Sequence, residues 1–101
     1  MKVFDRCEEK GEETDEQLVT WMVQGDFLAY GRLIRRHQLL VNRLAYALTQ
    51  DREKAGELAI ATLITLWVER EKAQHVLPLP HYLMRLMIRL RKSGHSYLSD
   101  N

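Results

Sequence analysis

Apolar residues recur at spacings of three and four along most of the chain, with polar residues between them. This period is typical of helices that bury one face, and no segment alternates apolar and polar residues as a half-buried strand would. In the longest periodic segment, one apolar stripe is formed by Phe27, Tyr30, Ile34, Val41, Leu44 and Leu48. The pattern therefore predicts an all-α fold.

Polar residues and a glycine mark where the first two helices begin and end. Thr14 and Gln17 have the spacing of a capping box, so the first helix is predicted from Thr14 to about Gln24. Gly25 can adopt the left-handed conformation that ends a helix, and the Asp26 carboxylate can cap the next helix. The second helix is therefore predicted to begin directly after Asp26.

A third helix follows the second after a very short connection. Asp51 is its predicted N-cap, and the helix is expected to end near Glu71. Two long helices joined by so short a turn pack antiparallel. Leu58, Leu63 and Leu66 recur at helical spacing, so we expect them to face the second helix.

Pro78 and Pro80 prevent the third helix from continuing into a fourth, because proline lacks an amide donor. Pro80 suits the first turn of this helix, and Gly94 can end it. The sequence thus predicts one domain, a compact four-helix bundle with a long antiparallel helical hairpin, over residues 14–93. A flexible acidic arm is expected at residues 1–13 and a polar tail at 94–101.

The formal net charge of +1 conceals two oppositely charged ends. Residues 1–26 contain eight acidic and three basic side chains, whereas residues 80–95 contain four basic side chains and no acidic one. Only the second segment would be attracted to a phosphate backbone, although such a run is also typical of a plain solvated face.

Few residues offer catalytic or metal-binding chemistry. Cys7 is the only cysteine, which excludes an intramolecular disulfide. Glu71, His75 and His81 lie on both sides of the prolines, which break the helix that would have to present them together. The serines near the C-terminus lie in a polar tail that cannot hold a nucleophile beside a base. We therefore expect no enzyme, no metal and no cofactor.

The chain has no apolar run of membrane-spanning length, and acidic residues interrupt any signal-peptide pattern near its start. These observations predict a cytoplasmic protein without a membrane partner.

The order of four short motifs points to a known family. Residues 18–26 read L-V-x-x-x-x-x-G-D, residues 51–58 read D-R-E-K-A-x-E-L, Leu66 and Trp67 follow, and residues 78–85 read P-L-P-H-Y-L-M-R. In this order and spacing, the chain resembles region 2 of a bacterial RNA polymerase sigma factor of the extracytoplasmic-function group. The resemblance covers about three quarters of the chain and implies a sigma region 2-like helical domain.

The resemblance implies that the third helix docks on the clamp coiled coil of the largest RNA polymerase subunit. Glu57 stands where an aspartate is common, and Ile60 and Ala61 occupy the places of a Gln-Glu pair. The implied polymerase-binding residues are Glu53, Glu57, Ile60, Ala61 and Ile64.

The resemblance also implies that the fourth helix meets promoter minus-ten DNA through aromatic side chains that stack on unpaired bases and basic ones that hold the displaced strand. Tyr82 stands where a tryptophan is frequent, Arg85 where a basic residue is usual, and Arg89 where an asparagine is usual. The implied DNA-binding residues are Tyr82, Arg85, Arg89, Arg91 and Lys92.

Two functions follow from the resemblance. The first is a transcription initiation domain that binds the polymerase clamp and promoter DNA. The second is a sigma mimic, a protein-interaction module that binds an anti-sigma factor or another regulator through the same helices without engaging DNA. An unrelated helical bundle is the third interpretation.

Overall fold

The computed structural model describes residues 13–74 and 78–93, and helices are its only regular elements in these ranges. The all-α prediction is confirmed. Apart from Glu13, the predicted arm lies outside the described residues, as does the predicted tail at 94–101. The helices in chain order are α1 Asp15–Val23, α2 Phe27–Thr49, α3 Arg52–Val68, α4 Arg70–Ala73 and α5 Leu79–Ser93.

The start of α1 has the predicted capping box. The Gln17 amide donates to Thr14 Oγ1 at 3.0 Å, and the Thr14 amide donates to Gln17 Oε1 at 3.0 Å. Two amides that a helix N-terminus leaves without intrahelical partners are thereby satisfied.

The turn between α1 and α2 also forms as the sequence predicts. Gly25 has a φ of +96°, a conformation that a side chain would disfavour. The next residue, Asp26, is buried, and its Oδ1 accepts from the amides of Leu28 at 3.1 Å and Ala29 at 3.2 Å. This buried cap fixes the point at which the long helix α2 begins.

Two residues connect α2 to α3. Gln50 adopts the left-handed conformation with a φ of 55°, and its amide donates to the Tyr46 carbonyl. Asp51 Oδ1 then accepts from the Lys54 amide at 3.0 Å, as expected of the predicted N-cap. Across this connection, α2 and α3 pack against each other.

The core lies where α2, α3 and α5 meet, with α1 packed on α2. Leu58 and Leu66 are buried there as predicted, whereas Leu63 is only partly buried. Phe27, which the stripe placed in the core, is 61% exposed, although its ring contacts those of Tyr30 and Trp67. The largest fully buried apolar side chains are Leu18, Val19, Met22, Leu33, Val41, Leu58, Leu66, Leu79, Leu83 and Met87.

The predicted third helix is divided in two. It ends at Val68, Glu69 adopts a φ of −106° and a ψ of 29°, and the four-residue helix α4 follows. Arg70 occupies the corner: its Nη1 donates to the Trp67 carbonyl at 2.9 Å, and its guanidinium lies 4.1 Å from the centre of the Trp67 ring. Arg70 thus adds a side-chain donor to one of the last carbonyls of α3, which also accepts from the Glu69 amide.

A cluster of charges joins the start of α1 to the middle of α2. Asp15 contacts Arg36 at 3.1 Å and His37 Nε2 at 2.8 Å, and Glu13 lies 3.7 Å from Arg32 and 3.9 Å from Arg36. Two arginines of α2, Arg32 and Arg36, thereby have carboxylate partners at the start of the domain.

Candidate functional site

The outer face of α3 presents two carboxylates and then three aliphatic side chains. We call Glu53, Glu57, Ile60, Ile64 and Val68 the α3 docking face. These residues recur at spacings of four, three, four and four, so they lie on one side of the helix, and all five are exposed. Ile60, Ile64 and Val68 are 51%, 49% and 68% exposed. Large apolar side chains on three successive turns form a continuous exposed strip, which is typical of a protein-binding surface.

Four of the five implied polymerase-binding residues lie on this face. The fifth, Ala61, does not, because it is 4% exposed. Residue 61 lies one position after Ile60, which turns its side chain about 100° away, toward the interior. Ala61 is therefore corrected from a contact residue to a packing residue. Val68 is an addition that the sequence analysis missed, although its spacing of four from Ile64 is visible in the sequence.

Three aromatic rings pack together where the end of α3 meets the start of α2. The exposed Phe27 ring lies 5.1 Å from the Trp67 ring in an edge-on arrangement and 5.3 Å from the Tyr30 ring. Tyr30 is buried, and its hydroxyl donates to the Leu63 carbonyl. Burial raises the pKa of Tyr30. This hydrogen bond and these ring contacts hold the C-terminal half of α3 firmly against α2, so the docking face is presented on a fixed scaffold.

On α5, the structure places Tyr82 differently from the sequence-based expectation. Its side chain belongs to the core and is only 7% exposed, so little of its ring is accessible for a base to stack on. The cause is its register: Leu79, Leu83, Leu86 and Met87 lie at helical spacings from Tyr82 and are buried with it. Tyr82 is therefore corrected from a base-stacking residue to a core residue.

The four basic residues of α5 divide into two groups. Arg85, Arg89 and Lys92 recur at spacings of four and three, are exposed, and form what we call the basic face of α5. Arg91 is exposed on another side of the helix, and its Nε lies 3.4 Å from the Leu48 carbonyl near the end of α2. Arg91 thus supports the contact between α5 and α2 and does not extend the basic face.

A shallow hollow of about 150 Å³ lies along the basic face, lined by Tyr82, Arg85, Leu86 and Arg89. Burial raises the pKa of Tyr82, the negative charge of Glu69 raises it further, and the positive charge of Arg89 lowers it. Arg89 itself is bound to Glu69, with 3.0 Å between Nη2 and Oε2. The hollow is therefore lined by two cationic side chains, by Leu86 and by Tyr82.

Two further kinds of site find no candidate in the described part of the chain. Within residues 13–74 and 78–93, no three His, Cys, Asp or Glu side chains are grouped so that they could hold a metal ion, and His75 lies outside these ranges. None of the helices described there has the length and apolar character needed to cross a lipid bilayer.

Searches for relatives gave no match: no protein family, no curated protein and no solved structure is detectably similar to the chain. What the protein does therefore has to be inferred from its own surfaces.

Proposed function

We propose that this chain is a sigma region 2-like domain that docks on the clamp of the largest RNA polymerase subunit through the α3 docking face. The observation that carries the proposal is the row of exposed aliphatic side chains, Ile60, Ile64 and Val68, preceded on the same face by Glu53 and Glu57. The resemblance in motif order assigns the clamp as the partner of this helix, and α2 and α3 would form the long antiparallel hairpin of that fold.

The docking face is acidic at the start of α3 and aliphatic toward its end, so its two ends would contribute to binding in different ways. Exposed carboxylates attract a basic partner and set its orientation, and they contribute more to the association rate than to affinity. Burial of aliphatic surface supplies affinity, at about 25 cal/mol per Å² of apolar area removed from water. A partner that suits both ends carries basic side chains opposite Glu53 and Glu57 and an apolar patch opposite Ile64.

We also propose that the basic face of α5 contacts the phosphates of promoter minus-ten DNA. Arg85, Arg89 and Lys92 lie on one side of the helix within about two turns, a span that suits neighbouring phosphates of a single strand. With Tyr82 in the core, this contact attracts the backbone without stacking on a base. A partner in the transcription machinery further implies a cytoplasmic location.

A second candidate function is a sigma mimic that binds an anti-sigma factor or another regulator through the α3 docking face and does not bind DNA. Two observations favour it: Tyr82 is buried, and the exposed Ile60 stands where the resemblance leads one to expect a polar residue. Both candidates use the same face of α3, so the identity of the partner distinguishes them.

A capture experiment with the purified clamp coiled coil tests the proposal. Ile60→Ala should weaken capture by about 1 kcal/mol or more, since it truncates a central apolar contact. Leu39→Ala is the matched control, because Leu39 is 60% exposed on α2 and does not belong to the docking face, so this change should have little effect. Glu57→Lys should weaken capture, whereas Glu16→Lys, a reversal at an exposed residue of α1, should have little effect.

Equal effects of Ile60→Ala and Leu39→Ala would contradict the docking face. A wild-type chain that ignores the clamp and binds the sigma-binding domain of an anti-sigma factor, with sensitivity to Ile60→Ala, would establish the second candidate instead.

A further inference from the structure

The corner between α3 and α4 reaches across to the basic face of α5 through one carboxylate. Glu69 Oε2 accepts from Arg89 Nη2 at 3.0 Å. The other oxygen, Oε1, is buried, has no hydrogen-bond partner within the described residues, and lies 3.8 Å from Lys72 Nζ. Glu69 is thus held in the corner, with a side chain 24% exposed, while Arg89 is 51% exposed. The carboxylate is the more buried member of this pair and the guanidinium is the more exposed one.

The surroundings of this pair contain groups that remain without partners. The Tyr82 hydroxyl is buried and has no hydrogen-bond partner within the described residues. Arg85 lines the same hollow as Tyr82 and Arg89, and no ion pair joins it to another residue of the described chain. Two of the three polar groups of the hollow are therefore uncommitted, and the third, Arg89, is bound to a carboxylate of the chain itself.

We propose that Glu69 competes with nucleic-acid phosphate for Arg89 and thereby sets which anions the basic face of α5 retains. This inference rests on the proposed contact of α5 with nucleic acid. A carboxylate and a phosphate both accept hydrogen bonds from a guanidinium, so a strand can take the place of Glu69 only by offering a phosphate to Arg89.

The strength of the competition between Glu69 and phosphate depends on how exposed the Glu69–Arg89 ion pair is. Pairs of exposed charges are weak, so Arg89 can leave Glu69 without disrupting the fold. A single small anion gains little, because it has to displace Glu69 with one contact. A strand that is already held by Arg85 and Lys92 brings its next phosphate to Arg89 at high effective concentration. Glu69 therefore favours a continuous polyanion over isolated phosphate.

The experiment compares two carboxylates that lie two residues apart. Glu71 is exposed on α4, and no ion pair joins it to α5 within the described residues. Glu69→Gln and Glu71→Gln change the net charge equally. The difference between their affinities for an oligonucleotide therefore isolates the contact with Arg89. Binding of a fluorescent single-stranded oligonucleotide at low salt should tighten about 2- to 5-fold more for Glu69→Gln than for Glu71→Gln. In an Arg89→Gln background, this difference should disappear.

Inorganic phosphate provides the second measurement. It should compete with the oligonucleotide more effectively on the Glu69→Gln variant than on the Glu71→Gln variant. Circular-dichroism melting curves show whether each variant is folded. If Glu69→Gln does not fold, Glu69→Asp provides an alternative, because it keeps the charge on a shorter side chain.

Several outcomes would contradict this proposal. Equal binding by the two glutamine variants, or a difference that persists without Arg89, would overturn the competition while leaving α5 as a nucleic-acid surface. No binding by any variant at low salt would remove the proposed nucleic-acid contact, and the competition with it.

Discussion

On α3, the aliphatic side chains of Ile60 and Ile64 stay about half exposed, and the fold makes little use of them. On α5, the residues with the most obvious chemistry are used by the fold: Tyr82 is in the core, Arg91 reaches the end of α2, and Arg89 is bound to Glu69. An exposed apolar row that contributes little to folding indicates a partner, whereas an aromatic or basic residue indicates one only after its contacts within the chain are known. A protein partner would therefore meet an exposed apolar row on α3, whereas a strand on α5 would have to compete with contacts that the chain already makes.

The largest expected effect comes from truncating one side chain of each helix to alanine and comparing the free energies of unfolding. Tyr82→Ala should lower the free energy of unfolding by about 3 to 5 kcal/mol, since it removes a large ring from the core. Ile64→Ala should change it by no more than about 0.5 kcal/mol, because Ile64 is at the surface. Urea unfolding followed by circular dichroism measures both values. A Tyr82→Ala variant as stable as Ile64→Ala would return Tyr82 to the surface and restore it as a base-stacking candidate.

The division of the basic residues on α5 predicts a smaller effect. Arg85→Gln should weaken binding to single-stranded DNA and reduce the salt slope, by about 0.7 log units of affinity per log unit of salt for each phosphate that is no longer neutralised. Arg91→Gln is the matched control, since it removes the same charge from another side of the helix, and should leave the slope nearly unchanged. Fluorescence anisotropy over a salt series provides the measurement. Equal slopes for the two variants would mean that the basic residues act only through their summed charge.

The smallest expected effect appears at alkaline pH. Burial, followed by the negative charge of Glu69, raises the pKa of Tyr82 above the usual 10.0, while the positive charge of Arg89 lowers it in part. The unfolded chain therefore releases this proton at a lower pH than the folded chain, so stability should fall as the pH rises through 10.0.

Tyr82→Phe should reduce this fall in stability, and Tyr30, whose pKa is also raised, should account for part of what remains. Urea unfolding at about pH 9 and about pH 11 compares the two chains on both sides of the usual tyrosine pKa. At neutral pH, Tyr82→Phe should be close to neutral in its effect, because the hydroxyl that it removes has no hydrogen-bond partner within the described residues. A large decrease in stability at neutral pH would reveal a partner for this hydroxyl.

Most of the fold was predictable because local chemistry marks the helix ends. The Thr14 capping box, the turn at Gly25 and Asp26, and the Asp51 cap all depend on residues close together in the sequence. The break at Glu69 was not predictable, since no proline or glycine lies there, and it depends on a contact between Arg70 and the Trp67 ring. A helical pattern of apolar residues that continues past Glu69 cannot show that a later side chain will bond to a carbonyl near the end of α3. It therefore cannot show that the helix stops at Val68.

The candidate site was predictable where exposure follows from helical period, and less so where it depends on tertiary contacts. Glu53, Glu57, Ile60 and Ile64 lie together as their spacing requires. Tyr82 suits both a core and a surface position, because its ring is apolar and its hydroxyl is polar, and only the packing of α5 decides between them. The bridge between Glu69 and Arg89 joins residues twenty positions apart, which periodicity within one helix cannot detect.

The charges at the start of α1 determine where the domain can be cut. Helix assignment alone would suggest a fragment that begins at Asp15, the first residue of α1. Such a fragment would lack Thr14, which caps α1, and Glu13, the carboxylate that faces Arg32 and Arg36 of α2. The stable unit therefore includes Glu13, and a deletion series should place its N-terminal boundary by electrostatics, two residues before the first helical residue.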